Sequence, residues 1–304
     1  ADPDVAFKQF DLFLSNLPSG VQLFSLFLAR PQFLDLLAKI VGATPRLATY
    51  LARNPAIMDA LLDADFLTSL PPREKLDADF ARVVTGDYEE MLDAARRFTR
   101  EAVFRVGVQI VEGAARADQA GPALTDIAET VIAGLLPHVE DALAASAGRI
   151  KGGGFAVVAM GKLGGREMTA SSDLDLVFIY DVPPGVEASD GPKPLSPTLY
   201  FARLAQRFIS ALTTPTAAGT LFEVDMRLRP TGNKGPVAVS LESFAVYHAS
   251  ESWTWEHMAL TRGRLVAGTP GLRARVEAEI RRRLTEPRAA TDIITDARDM
   301  REKM

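Results

Sequence analysis

Cysteine is absent from this chain, which excludes disulfides and thiolate metal sites and fits a cytoplasmic protein. Histidine is nearly as scarce. His138, His248 and His257 lie far apart, and no zinc spacing joins them. No stretch is long, apolar and uncharged enough to span a membrane. The opening Ala1-Asp2-Pro3-Asp4 lacks the basic and apolar parts of a signal peptide. Excess positive charge is missing too. A formal net charge of −5 and no basic stripe argue against broad nucleic-acid binding. No internal repeat is visible. What is present is ordinary globular material: 304 residues, 47% hydrophobic and 24% charged, enough for two domains or for one with a large extension. There is no initiator methionine, and the charged, helical stretch from Thr291 to Met304 stops without a cap. The expectation is a piece of a longer polypeptide.

Residues 1–150 read as a helical domain. Thr44-Pro45 and Asn54-Pro55 each set a capping residue before a proline at the first helical position. Ile57, Met58, Leu61 and Leu62 then follow helical spacing. Phe33, Leu34, Leu37 and Val41 form the face of a preceding helix that Gly42 would stop. Tyr88 to Ala115 reads as one long helix, and Ala123 to Ala147 as another with a bend at Pro137. The run Lys151-Gly152-Gly153-Gly154 is a joint where the periodicity changes. Phe155 to Met160, Leu174 to Tyr180 and Leu221 to Leu228 read as strands. Thr198 to Leu212, Leu241 to Ala259 and Gly271 to Leu284 read as helices. The fold class is therefore α+β: helices at 1–150, a small mixed sheet flanked by helices at 151–270, and the start of a further helical region at 271–304.

The chemistry concentrates in that second segment. Asp173 and Asp175 alternate at the start of an apolar strand, so both carboxylates project to one side. They follow the glycine-rich run Met160-Gly161-Lys162-Leu163-Gly164-Gly165. That run fits neither the dinucleotide fingerprint nor the Walker loop. Its amides, with Lys162 and the hydroxyls of Ser171 and Ser172, could bind a triphosphate; it could equally be a plain capping turn. In Glu223-Val224-Asp225-Met226-Arg227-Leu228-Arg229, alternation places Asp225 on one face with Arg227 and Arg229. If the strands pair, Asp225 joins the other two aspartates. Two carboxylates about 4 Å apart repel by roughly 4 kcal/mol at an effective dielectric near 20, so such a cluster calls for a proton or a cation. Oxygen-only ligands favour Mg²⁺ or Mn²⁺. Arg227 and Arg229 either neutralise phosphate or pair with Glu223. Trp253-Thr254-Trp255-Glu256-His257 reads either as helix core or, through Trp255 or His257, as part of an acceptor site.

Together these residues resemble the DNA polymerase β-type nucleotidyltransferase superfamily. More closely, the chain resembles the glutamine synthetase adenylyltransferase family. The resemblance rests on GFAVVAMGKLGGREMTASSDLDLVFIYD (154–181), LFEVDMRLRP (221–230), ESWTWEH (251–257) and RDMREKM (298–304), with ATYLARNPAIMDALLD (48–63) similar to the preceding helical part. It covers nearly the whole chain. Met168-Thr169-Ala170 is a departure, expected to tune the loop without removing a ligand. The resemblance implies transfer of AMP from ATP to a tyrosine of glutamine synthetase, with Asp173, Asp175 and Asp225 as catalytic, metal-binding carboxylates. It implies that Gly164, Gly165 and Ser172 contact the nucleotide phosphates; the reading of the residues adds Gly161, Lys162, Ser171, Arg227 and Arg229 as candidate nucleotide contacts. Members carry two related domains, one adding AMP and one removing it by phosphorolysis, and Trp-Thr-Trp-Glu-His is similar to the adding half. The resemblance also implies a PII signalling protein and glutamine as regulators. The alternatives are the AMP-removing twin, which would give ADP, and a nucleotide-sensing module without catalysis.

Overall fold

The computed structural model describes residues 3–16, 25, 27–28, 31–43, 45–54, 57, 61, 64–287 and 290–303. Thr44, Pro55, Met58 and Leu62, named above in helix starts and faces, lie outside these residues. Packing divides the chain into two units. The first comprises residues 1–76 and 97–127, the second residues 77–96 and 128–304.

The first unit is helical. Among its elements are α1 (Pro3–Ser15), α2 (Pro31–Ala43), α3 (Pro45–Arg53) and α4 (Ala64–Thr68). The expected face of α2 is buried at Phe33, Leu37 and Val41, while Leu34 is exposed. These side chains pack with Phe13, Ile40, Leu51, Phe66, Phe104 and Val108 into one core. A buried amide ties its polar backbone down: Gln109 Nε2 donates to the carbonyls of Phe66 (2.6 Å) and Ser69 (2.8 Å). Burial pushes the Tyr50 phenol, which lies 4.9 Å from the Phe104 ring, up to about 12.

Two long helices contribute to both units. These are α6 (Tyr88–Val111) and α7 (Ala117–Ala147), preceded by α5 (Arg73–Val83). α6 ends four residues before the expected Ala115. α7 starts six before Ala123 and continues through Pro137.

The second unit holds a five-stranded sheet. Its strands are β1 (Gly154–Ala159), β2 (Leu174–Asp181), β3 (Val224–Asp225), β4 (Ala238–Ser240) and β5 (Arg264–Gly268). β1 lies antiparallel between β2 and β5. The other edge of β2 takes β3 in parallel at its start and β4 in parallel farther along. All six β1 residues are buried, as expected of a central strand with both faces covered. On one face Phe155 and Phe178 stack at 5.6 Å and meet Phe201 and Phe208 of α9 (Pro197–Thr213). On the other, Ala156, Val158, Val177 and Ile179 pack on a cluster including Phe244, Leu260 and Ile280. Those three come from α10 (Leu241–Ser250), α11 (Thr254–Leu260) and α12 (Pro270–Thr285); α13 (Ala290–Lys303) follows. The α+β class stands. One expected helix, 241–259, is instead two, because Trp253 N donates to Glu256 Oε2 (2.7 Å) and starts a new helix. β4 and β5 were not anticipated.

Candidate active site

The candidate site sits where β1 ends and β2 begins, wholly within the second unit. The chain leaves β1 and makes one helical turn, α8 (Gly161–Gly164). Gly164 N donates to Met160 O (2.7 Å), and Gly165 N to Gly161 O (3.0 Å). Two of these glycines are dictated by space. Gly161 has φ +51°, and a Cβ there would lie 2.0 Å from Asp175 Oδ2. A Cβ on Gly164 would lie 2.0 Å from the Arg262 carbonyl oxygen. The turn is thus pressed against the Asp175 carboxylate at one end and against backbone at the other, with Lys162 exposed between them.

The loop after the turn is folded by its own hydroxyls. Thr169 N donates to Ser172 Oγ (3.0 Å), and the Thr169 and Ser172 hydroxyls lie 2.9 Å apart. Ser171 is exposed. The loop delivers Asp173, exposed, and Asp175, half-buried on β2. The anticipated pairing of β2 with the third strand exists, with Leu174 registered on Val224 and Asp175 on Asp225. Leu174 N donates to Glu223 O (2.8 Å) across it. Parallel pairing puts equivalent residues side by side, which sets the two carboxylates on neighbouring strands.

The third strand is much shorter than the expected Leu221 to Leu228. Phe222 N is bonded to Leu212 O (3.0 Å) at the end of α9, and beyond Asp225 the chain turns. Strand alternation therefore does not carry Arg227 and Arg229 to the aspartate face. Arg227 folds back onto Asp225: its backbone N donates to Oδ1 (2.8 Å) and its Nε to Oδ2 (2.6 Å), with a further contact from its terminal nitrogen. Its partner is Asp225, not Glu223. Arg229 is buried and donates to the carbonyls of Met226 (2.7 Å) and Gly235 (3.3 Å), holding the loop after β3.

Electrostatics separate the aspartates. Burial, then the charges of Asp173 and Asp225, raise the Asp175 carboxyl above its usual range, opposed by Arg227 and Lys162. The Arg227 hydrogen bond instead holds Asp225 below it. Among the described residues, no three His, Asp or Glu side chains stand closed around an ion position. The donor chemistry nonetheless suits a hard divalent cation, with oxygen-only ligands and crowded negative charge at Asp175.

The two tryptophans of the Trp253–His257 run are not core. Trp253 is 70% and Trp255 37% exposed. His257 is buried; its Nε2 donates to the His248 carbonyl and lies 3.0 Å from Ser252 Oγ. Glu256 Oε1 accepts from the Tyr247 hydroxyl (2.8 Å).

Two groups escaped the sequence reading. Arg264, at the start of β5, donates through Nε to Gly164 O (3.1 Å) and through a terminal nitrogen to Leu163 O (3.0 Å). The same terminal nitrogen pairs with Glu129 of α7. Only the Arg-Gly-Arg run at 262–264 hinted at them, and nothing in it named a partner 135 residues away.

The family model described as glutamate-ammonia ligase adenylyltransferase matches residues 34–279. The chain belongs to that family. As a member of the glutamate-ammonia ligase adenylyltransferase family it has curated relatives named bifunctional glutamine synthetase adenylyltransferase/adenylyl-removing enzyme. It is 48% identical over 300 residues to that protein of Mesorhizobium japonicum, a match covering 98% of this chain and 30% of the relative. It is 46% identical over 302 residues to that of Brucella suis, covering 98% and 31%. To that of Rhizobium meliloti it is 47% identical over 300 residues, covering 98% and 30%. The chain thus spans about three-tenths of the length of the curated relatives it matches. Among the described residues, no helix is long and apolar enough to cross a membrane.

Proposed function

We propose that this chain is a cytoplasmic nucleotidyltransferase that moves AMP from ATP to a tyrosine hydroxyl of glutamine synthetase and releases pyrophosphate. The observation that carries the reading is the register of Asp175 on Asp225 beside a glycine turn that presents Lys162. The relatives' printed name covers both addition and removal of the adenylyl group. The exposed Trp253 and Trp255, in a run similar to the adding half of the family, are the ground for choosing addition.

In this reading Asp173, Asp175 and Asp225 hold magnesium or manganese. Bound there, such ions polarise the α-phosphate and lower the pKa of the attacking hydroxyl. The turn amides of Gly161 to Gly165, Lys162, and the Ser171 and Ser172 hydroxyls hold the β- and γ-phosphates and orient the α-phosphorus. Arg227, whose side chain is exposed, exchanges Asp225 for the polyphosphate. Arg229 keeps the loop after β3 in place and lends its charge from behind. A phenol with a pKa near 10 needs a proton acceptor at neutral pH, and in this reading Asp225, once released by Arg227, takes that proton. The new bond joins the tyrosine oxygen to the α-phosphorus. The bond to the β-phosphate oxygen breaks, and pyrophosphate leaves. Control by a PII signalling protein and glutamine belongs to the same reading.

The test is incorporation of labelled AMP into glutamine synthetase. Asp173→Asn and Asp175→Asn should each lower it by about a hundredfold or more. Activity within a few-fold of the parent would overturn the carboxylate assignment. Incubating adenylylated glutamine synthetase with phosphate decides direction, since ADP as the product would mark the removing reaction. Magnesium-dependent ATP binding without turnover would mark a sensing module instead.

A further inference from the structure

We infer that Glu129 and Arg264 are a positioning pair for the glycine turn, and that they set the turn's affinity for polyphosphate; this rests on the nucleotidyl-transfer reading above. A four-residue helix leaves its last carbonyls without i→i+4 partners, and here Leu163 O has only a long bond from Arg166 N (3.3 Å) on the backbone side. In α8 the Leu163 and Gly164 carbonyls are taken by one guanidinium fork, that of Arg264, at 3.0 and 3.1 Å. A planar guanidinium aims its donors in fixed directions, so it defines the angle of those peptide units as well as satisfying them. Its own direction is fixed by the ion pair with Glu129, whose side chain is only 8% exposed against 33% for Arg264.

The surroundings leave the turn little other freedom. Gly164 lies against the Arg262 carbonyl, two residues before Arg264, so turn and strand start are in backbone contact. At the opposite end Gly161 lies against the Asp175 carboxylate. Lys162 stands between, and its carbonyl accepts from Glu167 N (2.8 Å). A change of angle at Leu163 and Gly164 therefore moves the Lys162 side chain and the turn amides relative to Asp175. Stability alone is a poor reason for such a pair, because buried ion pairs are commonly replaced by apolar residues without loss. Direction is what an apolar replacement could not supply.

The measurements are amide exchange across 161–167 in the ligand-free protein, thermal unfolding, and KM for ATP set against kcat. The variants are Glu129→Gln, Arg264→Lys and the double Glu129→Met/Arg264→Met, which removes both charges together and so leaves neither buried alone. In variants that keep the parent's unfolding midpoint, exchange at Gly164 and Gly165 should quicken roughly tenfold, the scale of one hydrogen bond to a charged group. KM for ATP should rise by a similar factor with kcat nearly unchanged, as for lost uniform binding. Combined in one chain, Glu129→Gln and Arg264→Lys should raise KM by less than the product of their separate effects. Unchanged exchange in a folded variant overturns the pair as a clamp. Faster exchange with an unchanged KM overturns its role in nucleotide affinity. If the parent itself transfers no AMP, the exchange result still decides the clamp, and the transfer reading is what falls.

Discussion

A single methyl at Gly164 would meet backbone, which cannot swing aside as a side chain would. Gly164→Ala should therefore force β1's exit away from residue 262 at a cost of about 1–3 kcal/mol, the usual range for overpacking. A midpoint of thermal unfolding several degrees below the parent is the expected result; an unchanged midpoint would show that the turn has slack. Asp173 and Asp175 were legible in the sequence because their chemistry lies in two nearby letters and a period of two. Asp225 was legible too, on the condition that its strand paired with β2. The attachment of Arg227 was not legible, because it depends on β3 stopping at Asp225, where the chain turns and the Arg227 amide bonds back to the Asp225 carboxylate. Serines showed the same limit. Ser172 reads as a phosphate ligand, yet its hydroxyl already folds the loop through Thr169.

α6 enters the second unit through Arg96, whose fully buried side chain donates to the carbonyls of Leu92 (2.9 Å), Ala211 (3.1 Å), Thr214 (2.5 Å) and Gly219 (2.8 Å). It closes the end of α9 and the turn that feeds β3. Arg96→Met would leave those buried carbonyls without their donor, at roughly 3 kcal/mol or more. Chemical denaturation should report a loss of that size, and a loss below about 1 kcal/mol would contradict the clamp. α12 docks in a comparable way. Arg283 donates to Ala245 O (3.0 Å) of α10, and it shares Glu279 with Arg282. Burial opposes ionisation of Glu279, but hydrogen bonds from Arg282 and Arg283 outweigh it, so its carboxyl titrates below the ordinary 4.5. A carboxyl depressed in the folded state binds fewer protons there than in the unfolded chain. Its stabilisation is therefore complete above about 4.5 and is lost as the pH falls through the depressed value. Glu279→Gln should lower the unfolding midpoint at neutral pH, with the gap to the parent closing under acid; a gap constant with pH would contradict this. Long elements such as α6, α7 and α9 were readable from apolar spacing. β4 and β5 were too short to show a period and exist because β2 and β1 offer them edges.

For the molecule as a whole, the two units each carry an apolar core, and every proposed nucleotide contact lies in the second. A ligand that binds only the folded state raises the unfolding midpoint by mass action, by about 2.7 kcal/mol at a hundred times its Kd. ATP with magnesium should raise the midpoint, and ATP with a chelator should raise it far less. An equal rise in both would place the nucleotide away from the carboxylates. Reducing agents should leave the midpoint unchanged, since there is no thiol to oxidise. The α+β class and the site's neighbourhood could be read from the sequence because motif and strand coincide. The division of α6 and α7 between two packed units could not, because a helix's apolar stripe does not say which core each of its turns enters.

The union of β2 with β3 also bears on how the chain comes to be folded. Antiparallel β1 and β2 are near neighbours in sequence, whereas the short β3 returns only after the whole excursion through α9. Contacts between distant segments close large loops and form slowly. By that measure the Asp175–Asp225 register forms after β1 has met β2, and β5, which returns to β1 from still farther along the chain, closes the opposite edge of the sheet later.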